Sequence, residues 1–300
     1  MESVLPTQLK NASDIREILK EVEVEFTLED GSVFKTLLVY LPIDDGASDH
    51  TEFLDHVKEG LLYHFVFSYK EIEKKLGIQG DDDAAEKLLD KAIRKLSKKT
   101  AHGELGELLL FTLLDIYFNA PKILSKVSYK TNRKMPVFGA DAVHGQFNNG
   151  KFKLYLGESK LYTDFTKAST AATKSITTAI GKYEEEFDLL DSFMDFEGIT
   201  EELESALLEI LDPFSDTDLN ELICSPCFIG FAEPELIAGA PNEEEFVKSY
   251  VDQADIYVKD FIKKAKKLNI DMEETALLML PYSCVDKFVE DFVEHIGIKA

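Results

Sequence analysis

The stretch that most restricts the fold runs from Phe138 to Lys160, FGADAVHGQFNNGKFKLYLGESK. Apolar and polar residues alternate on both sides of Asn149-Gly150, and side chains on a strand alternate faces with period two. Asn-Gly between two such runs is the strongest short hairpin signal, because a two-residue type I′ turn needs positive φ at both central positions. With that turn, Asn148 pairs with Lys151. Phe147 then faces Phe152, Gly145 faces Leu154, Val143 faces Leu156 and Asp141 faces Glu158. A bulge at Gly145 would shift this register. The opposite face carries Lys151, Lys153, Tyr155 and Ser159 against His144 and Gln146, and reads as the wetter one.

The apolar face ends in charge. Like charges directly opposite one another on adjacent strands are destabilising, so Asp141 and Glu158 call for a proton or a divalent cation between them. Lys160 lies on the same face, two residues past Glu158 and opposite Gly139, a glycine that leaves room for a ligand or for the lysine stem.

The surrounding pattern gives the class. Glu21 to Leu41 alternates about Asp30-Gly31, a second hairpin. Thr51 to Leu76 reads as a helix ending near Gly77, and QGDDDAAEKLLDKAIRKLSKK as a helix with acids first and bases last. From Thr100 the order is helix to Phe118, strand over Lys122 to Lys130, the hairpin, helix over Asp164 to Leu190 with small residues early on one side, and a buried strand at CSPCFIGFAE. A helix over Glu243 to Leu268, a strand over Thr275 to Pro281 and a helix over Val285 to Ile296 complete it. This is an α/β (α+β) chain with a mixed central sheet flanked by helices. A boundary near Lys98 divides it into a smaller α/β region, residues 1–98, and a larger domain, residues 99–300.

Charge is unevenly spread. The formal net charge is -24, which taken alone opposes nucleic-acid binding. Between Ala120 and Lys182, however, eleven basic residues stand against three acidic ones, a local net of +8 centred on the charged strand ends. No apolar run is long enough for a membrane span. The N-terminus lacks the basic and apolar regions of a signal peptide, and three cysteines without a disulfide pattern fit a reducing cytoplasm. Cys224 and Cys227 have metal or redox spacing but sit in a buried-strand pattern without the four ligands that a structural zinc needs. The acids of GDDDAAE read as a helix cap, and no phosphate-binding loop of the ATPase kind is present.

Gly139-Ala140-Asp141 followed by Glu158-Ser159-Lys160 on the adjacent strand, after a helix bearing glutamates in HGELGELLL, resembles the PD-(D/E)xK nuclease superfamily. Ala140 stands where the superfamily pattern has proline. The closer resemblance is to the HamA component of Hachiman anti-phage defence and the related AbpA proteins, carried by HGELGELLL, GADAVHG and GESK in that order. It implies a restriction-endonuclease-like core and a metal-dependent deoxyribonuclease using Mg²⁺, with Mn²⁺ as an alternative. A superfamily 2 helicase of the HamB kind is the implied partner. Asp141, Glu158 and Glu104 would be the metal-binding catalytic acids, with Glu107 the alternative to Glu104, and Lys160 the catalytic lysine. Mg²⁺ takes oxygen ligands and keeps several waters, so two or three carboxylates suffice. Lys167 and Lys174, two helical turns apart, are placed to follow a DNA backbone. The competing expectation is a catalytically inactive nuclease fold that senses DNA or regulates the helicase.

Overall fold

The computed structural model describes residues 5, 7–9, 11–79, 83–124, 127, 140–148, 151–181, 201–210 and 222–299. Helix α1 (Ala12–Ile18) leads into strands β1 (Lys20–Val22), β2 (Phe26–Thr27), β3 (Val33–Phe34), β4 (Thr36–Tyr40), β5 (Ile43–Asp44) and β6 (Ala47–Ser48). Helix α2 (Thr51–His56) runs through a π-helical turn, Val57–Leu61, into α3 (Leu62–Val66), followed by α4 (Tyr69–Gln79) and α5 (Ala84–Ile93). Then come α6 (Ala101–Tyr117), β7 (Lys122–Leu124), β8 (Ala142–Asn148), β9 (Lys151–Leu161), α7 (Phe165–Ile180) and α8 (Glu201–Ile210). Strand β10 (Ile223–Ala232), α9 (Pro234–Gly239), α10 (Glu243–Lys267), β11 (Thr275–Tyr282) and α11 (Val285–Ile296) finish the order.

One seven-stranded mixed sheet, β1-β4-β11-β10-β9-β8-β7, organises the molecule. Its centre is parallel, β9 to β10 to β11 to β4, and both ends are antiparallel. Parallel strands need cover on both faces. Helices α2, α3, α5, α6 and α11 supply it on one side, where Leu105, Leu109, Phe228, Leu278 and Phe288 are buried together. Helices α7 and α10 supply it on the other, with Ala168, Ala172, Cys227, Ile229 and Phe261. The mixed α/β class expected from the pattern is thus the class observed. Strands β1 and β4, from residues 1–98, share the sheet with β7 to β11, and residue 99 falls in the loop between α5 and α6.

Local chemistry explains the elements nearest the hairpin. Asp164 caps α7 by accepting from the Lys167 N–H at 2.7 Å, and Ala168 and Ala172 let that helix lie close on the sheet. Asn242 caps α10 in the same way, accepting from Glu245 N–H at 3.0 Å, with acids in the first turn and lysines in the last. The helix expected from Thr51 to Leu76 is interrupted, because Phe67 is extended and Ser68 opens a new helix by accepting from Glu71 N–H. The Asp30-Gly31 turn forms as expected, with Gly31 at φ 85° and β2 paired to β3.

Candidate active site

The hairpin holds the register that its sequence dictates. Ala142 pairs with Gly157, Val143 with Leu156, Gly145 with Leu154, Phe147 with Phe152 and Asn148 with Lys151. The Asn149-Gly150 turn and Gly139 lie outside the described residues. Gly145 carries no bulge. Its missing side chain makes space, since a Cβ there would meet Ile123 Cδ1 at 2.5 Å and Phe152 Cζ at 2.7 Å. The register shift falls instead between Lys122 and Leu124, where β7 meets β8.

Two expectations about the hairpin change. Its second face is dry rather than wet: His144, Gln146, Tyr155 and Ser159 are all buried. Helix α6 covers that face, and the polar groups are matched one by one. His144 Nδ1 lies 2.7 Å from the Ala120 carbonyl, and Gln146 accepts from Leu5 N–H at 2.8 Å and donates to the Leu5 carbonyl at 2.9 Å. Satisfied in this way, polar side chains tolerate burial. Asp141, moreover, stands just outside the ladder instead of squarely facing Glu158. Its N–H donates to the Gly157 carbonyl at 2.9 Å. Its Oδ2 accepts from Ser159 N–H at 2.8 Å and Ser159 Oγ–H at 2.9 Å.

Ser159 is therefore a positioning residue that the sequence reading passed over. So is Gly106 of α6: a Cβ there would lie 3.2 Å from Ser159 Oγ, so the glycine lets the helix seat against the residue that fixes Asp141. The middle residue of Glu158-Ser159-Lys160 and the second glycine of HGELG were the available signals.

Glu158 and Lys160 project to the α7 side of the sheet, at the end of β9, beside Cys227 and Ile229 of β10. Their side chains are only 7% and 17% exposed, and Lys160 Nζ donates to Glu158 Oε2 at 3.1 Å and to the Ser159 carbonyl at 3.0 Å. Burial, and then the Asp141 charge, push the Glu158 carboxyl up to about 7, against the opposing pull of Lys160 and of a hydrogen bond from Ser175 on α7. Burial works against the Lys160 ammonium, yet Glu158 and Asp141 more than offset it and hold its proton above the usual range. Glu158 and Lys160 thus sit, with Asp141 close by, at a strand end only partly open to water.

The two helix glutamates part company. Glu104 is buried and turned to its own helix start, accepting from Thr100 Oγ–H at 2.7 Å and from Ser97 N–H at 3.3 Å. Glu107 lines a cleft of about 20 Å³ with Asp141, Lys122, His144 and Phe111. That is room for a single water-sized species. Asp141 thus belongs both to the cleft with Glu107 and to the charge cluster with Glu158 and Lys160, whereas the preferred helix acid, Glu104, serves a local cap. Among the described residues no three His, Cys, Asp or Glu side chains already converge as a metal cage. Lys167 and Lys174 are exposed on the outer side of α7. Cys224 donates to Glu274 Oε2 at 2.9 Å and Cys227 is buried, and burial pushes both thiols up, as expected for strand packing rather than redox work.

A helix, three antiparallel strands, a helix and a parallel fourth strand, with Asp, Glu and Lys gathered at the end of the central hairpin, define a mixed α/β protein with a largely buried charged cluster at that strand end. The family comparison is more specific: the HamA family model matches residues 14–296, and the chain belongs to that family. It is accordingly a Hachiman-type anti-phage defence protein. No curated protein matches the sequence. No helix among the described residues is long and apolar enough to cross a membrane.

Proposed function

We propose that the chain is a metal-dependent deoxyribonuclease of the Hachiman system, hydrolysing phosphodiester bonds at the end of the β8–β9 hairpin. The supporting observation is the buried pair of Glu158 and Lys160 beside Asp141, with the Glu158 carboxyl pushed up to about 7 by burial and by Asp141. A fold that needed only a salt bridge has no use for the second carboxylate. A cation-binding site does, because the excess negative charge is what a cation neutralises.

The donor set fits Mg²⁺, a hard cation that accepts one or two carboxylates and retains its waters. Asp141 and Glu158 would hold it, with the Asp141 carboxylate fixed by Ser159. Glu107, which lines the same cleft as Asp141, would reach it through water. Bound there, Mg²⁺ would supply Lewis acidity toward the phosphate and acidify a water. The residues do the rest. Ser159 keeps Asp141 from rotating away. Lys160 remains an ammonium, so it orients the attacking water or stabilises charge developing on the phosphate, and does not abstract a proton. Lys167 and Lys174 on the exposed side of α7 would hold the DNA backbone. With the formal charge at -24, free DNA is repelled over most of the surface, so a helicase partner would deliver the strand and restrain cleavage until it does.

Cleavage of DNA by the purified chain with Mg²⁺ or Mn²⁺, compared with Glu158→Ala and Lys160→Ala, tests the reading. Loss of one such group is expected to cost about a hundredfold or more in rate; equal degradation by all three proteins refutes the site. The restraint is tested by adding the helicase with and without ATP, and unchanged cleavage in both refutes it. A DNA-sensing subunit without activity is the second reading, favoured by Glu104, the helix acid first expected at the site, being bonded to Thr100 and Ser97 at its own helix start. DNA binding without metal binding or cleavage would decide for it.

A further inference from the structure

Among the described residues, Tyr162 is the one Phe or Tyr side chain that is exposed, at 39%. The other aromatic rings are buried or half-buried, most of them in the two cores flanking the sheet. Tyr162 has no such partner: its ring stacks on no other ring and its hydroxyl makes no hydrogen bond among the described residues. Its backbone, in contrast, is firmly held. The Tyr162 N–H donates to the Gly230 carbonyl at 2.9 Å, and Ala232 N–H donates to the Thr163 carbonyl at 3.2 Å, so the pairing with β10 continues past the end of β9.

Because the chain stays extended there, period two places Tyr162 on the same face as Glu158 and Lys160. Strand residues two apart are separated by roughly 6.5–7 Å, about one nucleotide step along a single strand. Just beyond, α7 starts at Phe165 and carries the exposed Lys167 and Lys174. The order along one surface is therefore buried carboxylate, ammonium, exposed aromatic ring, then two exposed ammonium groups. A rigidly mounted aromatic ring beside cationic side chains is the arrangement on which unpaired bases stack, and stacking is indifferent to base identity because every base has a π-face. A paired base inside a duplex has both faces covered by its neighbours and cannot use such a ring.

We infer that Tyr162 is a stacking platform for one unpaired nucleobase, and that the site therefore prefers single-stranded DNA or a frayed end to an intact duplex. This rests on the nuclease reading for the position of the scissile phosphate, but the stacking itself is a binding event that can be measured without cleavage. The probe is a single-stranded oligodeoxynucleotide carrying 2-aminopurine, with a blunt duplex of the same sequence for comparison, mixed with the full chain in Ca²⁺ instead of Mg²⁺. Stacking on Tyr162 is expected to quench the 2-aminopurine. Tyr162→Phe is expected to bind and quench like the unsubstituted chain. Tyr162→Leu and Tyr162→Ala are expected to lose about tenfold in single-strand affinity, within the span of base–aromatic stacking, and to bind duplex within about twofold of the unsubstituted chain. An exposed ring leaves the fold intact when removed, which a thermal melt confirms. If Tyr162→Ala binds single strand as tightly as the unsubstituted chain, or weakens on both substrates alike, the stacking platform is refuted while cleavage can still stand. Quenching by a chain that never cuts in Mg²⁺ or Mn²⁺ upholds the platform and refutes the nuclease. Absence of quenching by the unsubstituted chain refutes the platform outright.

Discussion

Replacing Glu158 by glutamine should make the metal-free protein more resistant to unfolding at mildly alkaline pH. The carboxyl is pushed from an ordinary 4.5 up to about 7 by burial and by Asp141. A carboxyl raised on folding contributes stability that is fully present below its unfolded value and is lost as pH rises through the folded one. For Glu158 that window runs from 4.5 to about 7. At about 1.4 kcal/mol per pH unit, the wild-type chain should lose about 2–3 kcal/mol between about pH 5 and about pH 8 from this group alone. Glutamine copies the neutral carboxyl in shape and cannot ionise, so the variant lacks this loss. Other groups titrate as well: Asp115, pushed up to about 6 by burial, contributes with the same sign. It does so in both proteins and cancels in the difference between them. Urea unfolding of both proteins at the two pH values, in a chelator, gives the double difference. Under the metal proposal, saturating Mg²⁺ at the higher pH should then stabilise the wild type and leave the variant unmoved. Superimposable pH profiles for the two metal-free proteins would show that Glu158 is not charged against its environment, and the reasoning from burial and repulsion would fall.

Under the nuclease proposal Glu107→Gln should slow cleavage more than Glu104→Gln does, whereas Glu104→Gln should lower the melting temperature, because Glu104 holds Thr100 and Ser97 at the start of α6; rate and melting measurements on both variants check this. Lys122→Met should cost about 2–4 kcal/mol in urea unfolding, since the buried ammonium donates to the carbonyls of His64 and Phe67 and leaves them unpaired when removed. Gly145→Ala should destabilise by about 1–3 kcal/mol, the new Cβ falling 2.5 Å from Ile123 Cδ1; a stability equal to wild type would mean that Ile123 and Phe152 move aside freely.

The hairpin was readable because its information is local. Alternation fixes the faces, Asn-Gly fixes the turn, and together they set every pair from Ala142 to Asn148. What escaped was set at a distance. The polar face looked wet because nothing near His144 or Gln146 in sequence announces that Leu5, some 140 residues away, will take both ends of the glutamine amide. The departure of Asp141 from the ladder depends on Ser159, a residue whose hydroxyl gives no pattern of its own. Glu104 and Glu107 have near-equivalent spacing, and only the path of the chain before α6, with Ser97 and Thr100, separates a cap from a cleft. Likewise, short strands such as β1 and β4 carry no mark of the long-range partners that draw them into the main sheet.

The sheet order has a consequence for how the protein comes into being. Strand β11 lies between β4 and β10 and hydrogen-bonds to both, yet it follows every other strand in the chain. During translation, β4 and β10 must each wait with an unpaired edge until β11 emerges, and waiting edges invite wrong partners. The same delay has a protective side. The parallel seam that backs β9 from β10 outward is completed only when synthesis has passed Tyr282, so a truncated chain cannot assemble the full support for its own charged centre. If the charged centre cuts DNA as proposed, an unfinished copy would be a harmless one.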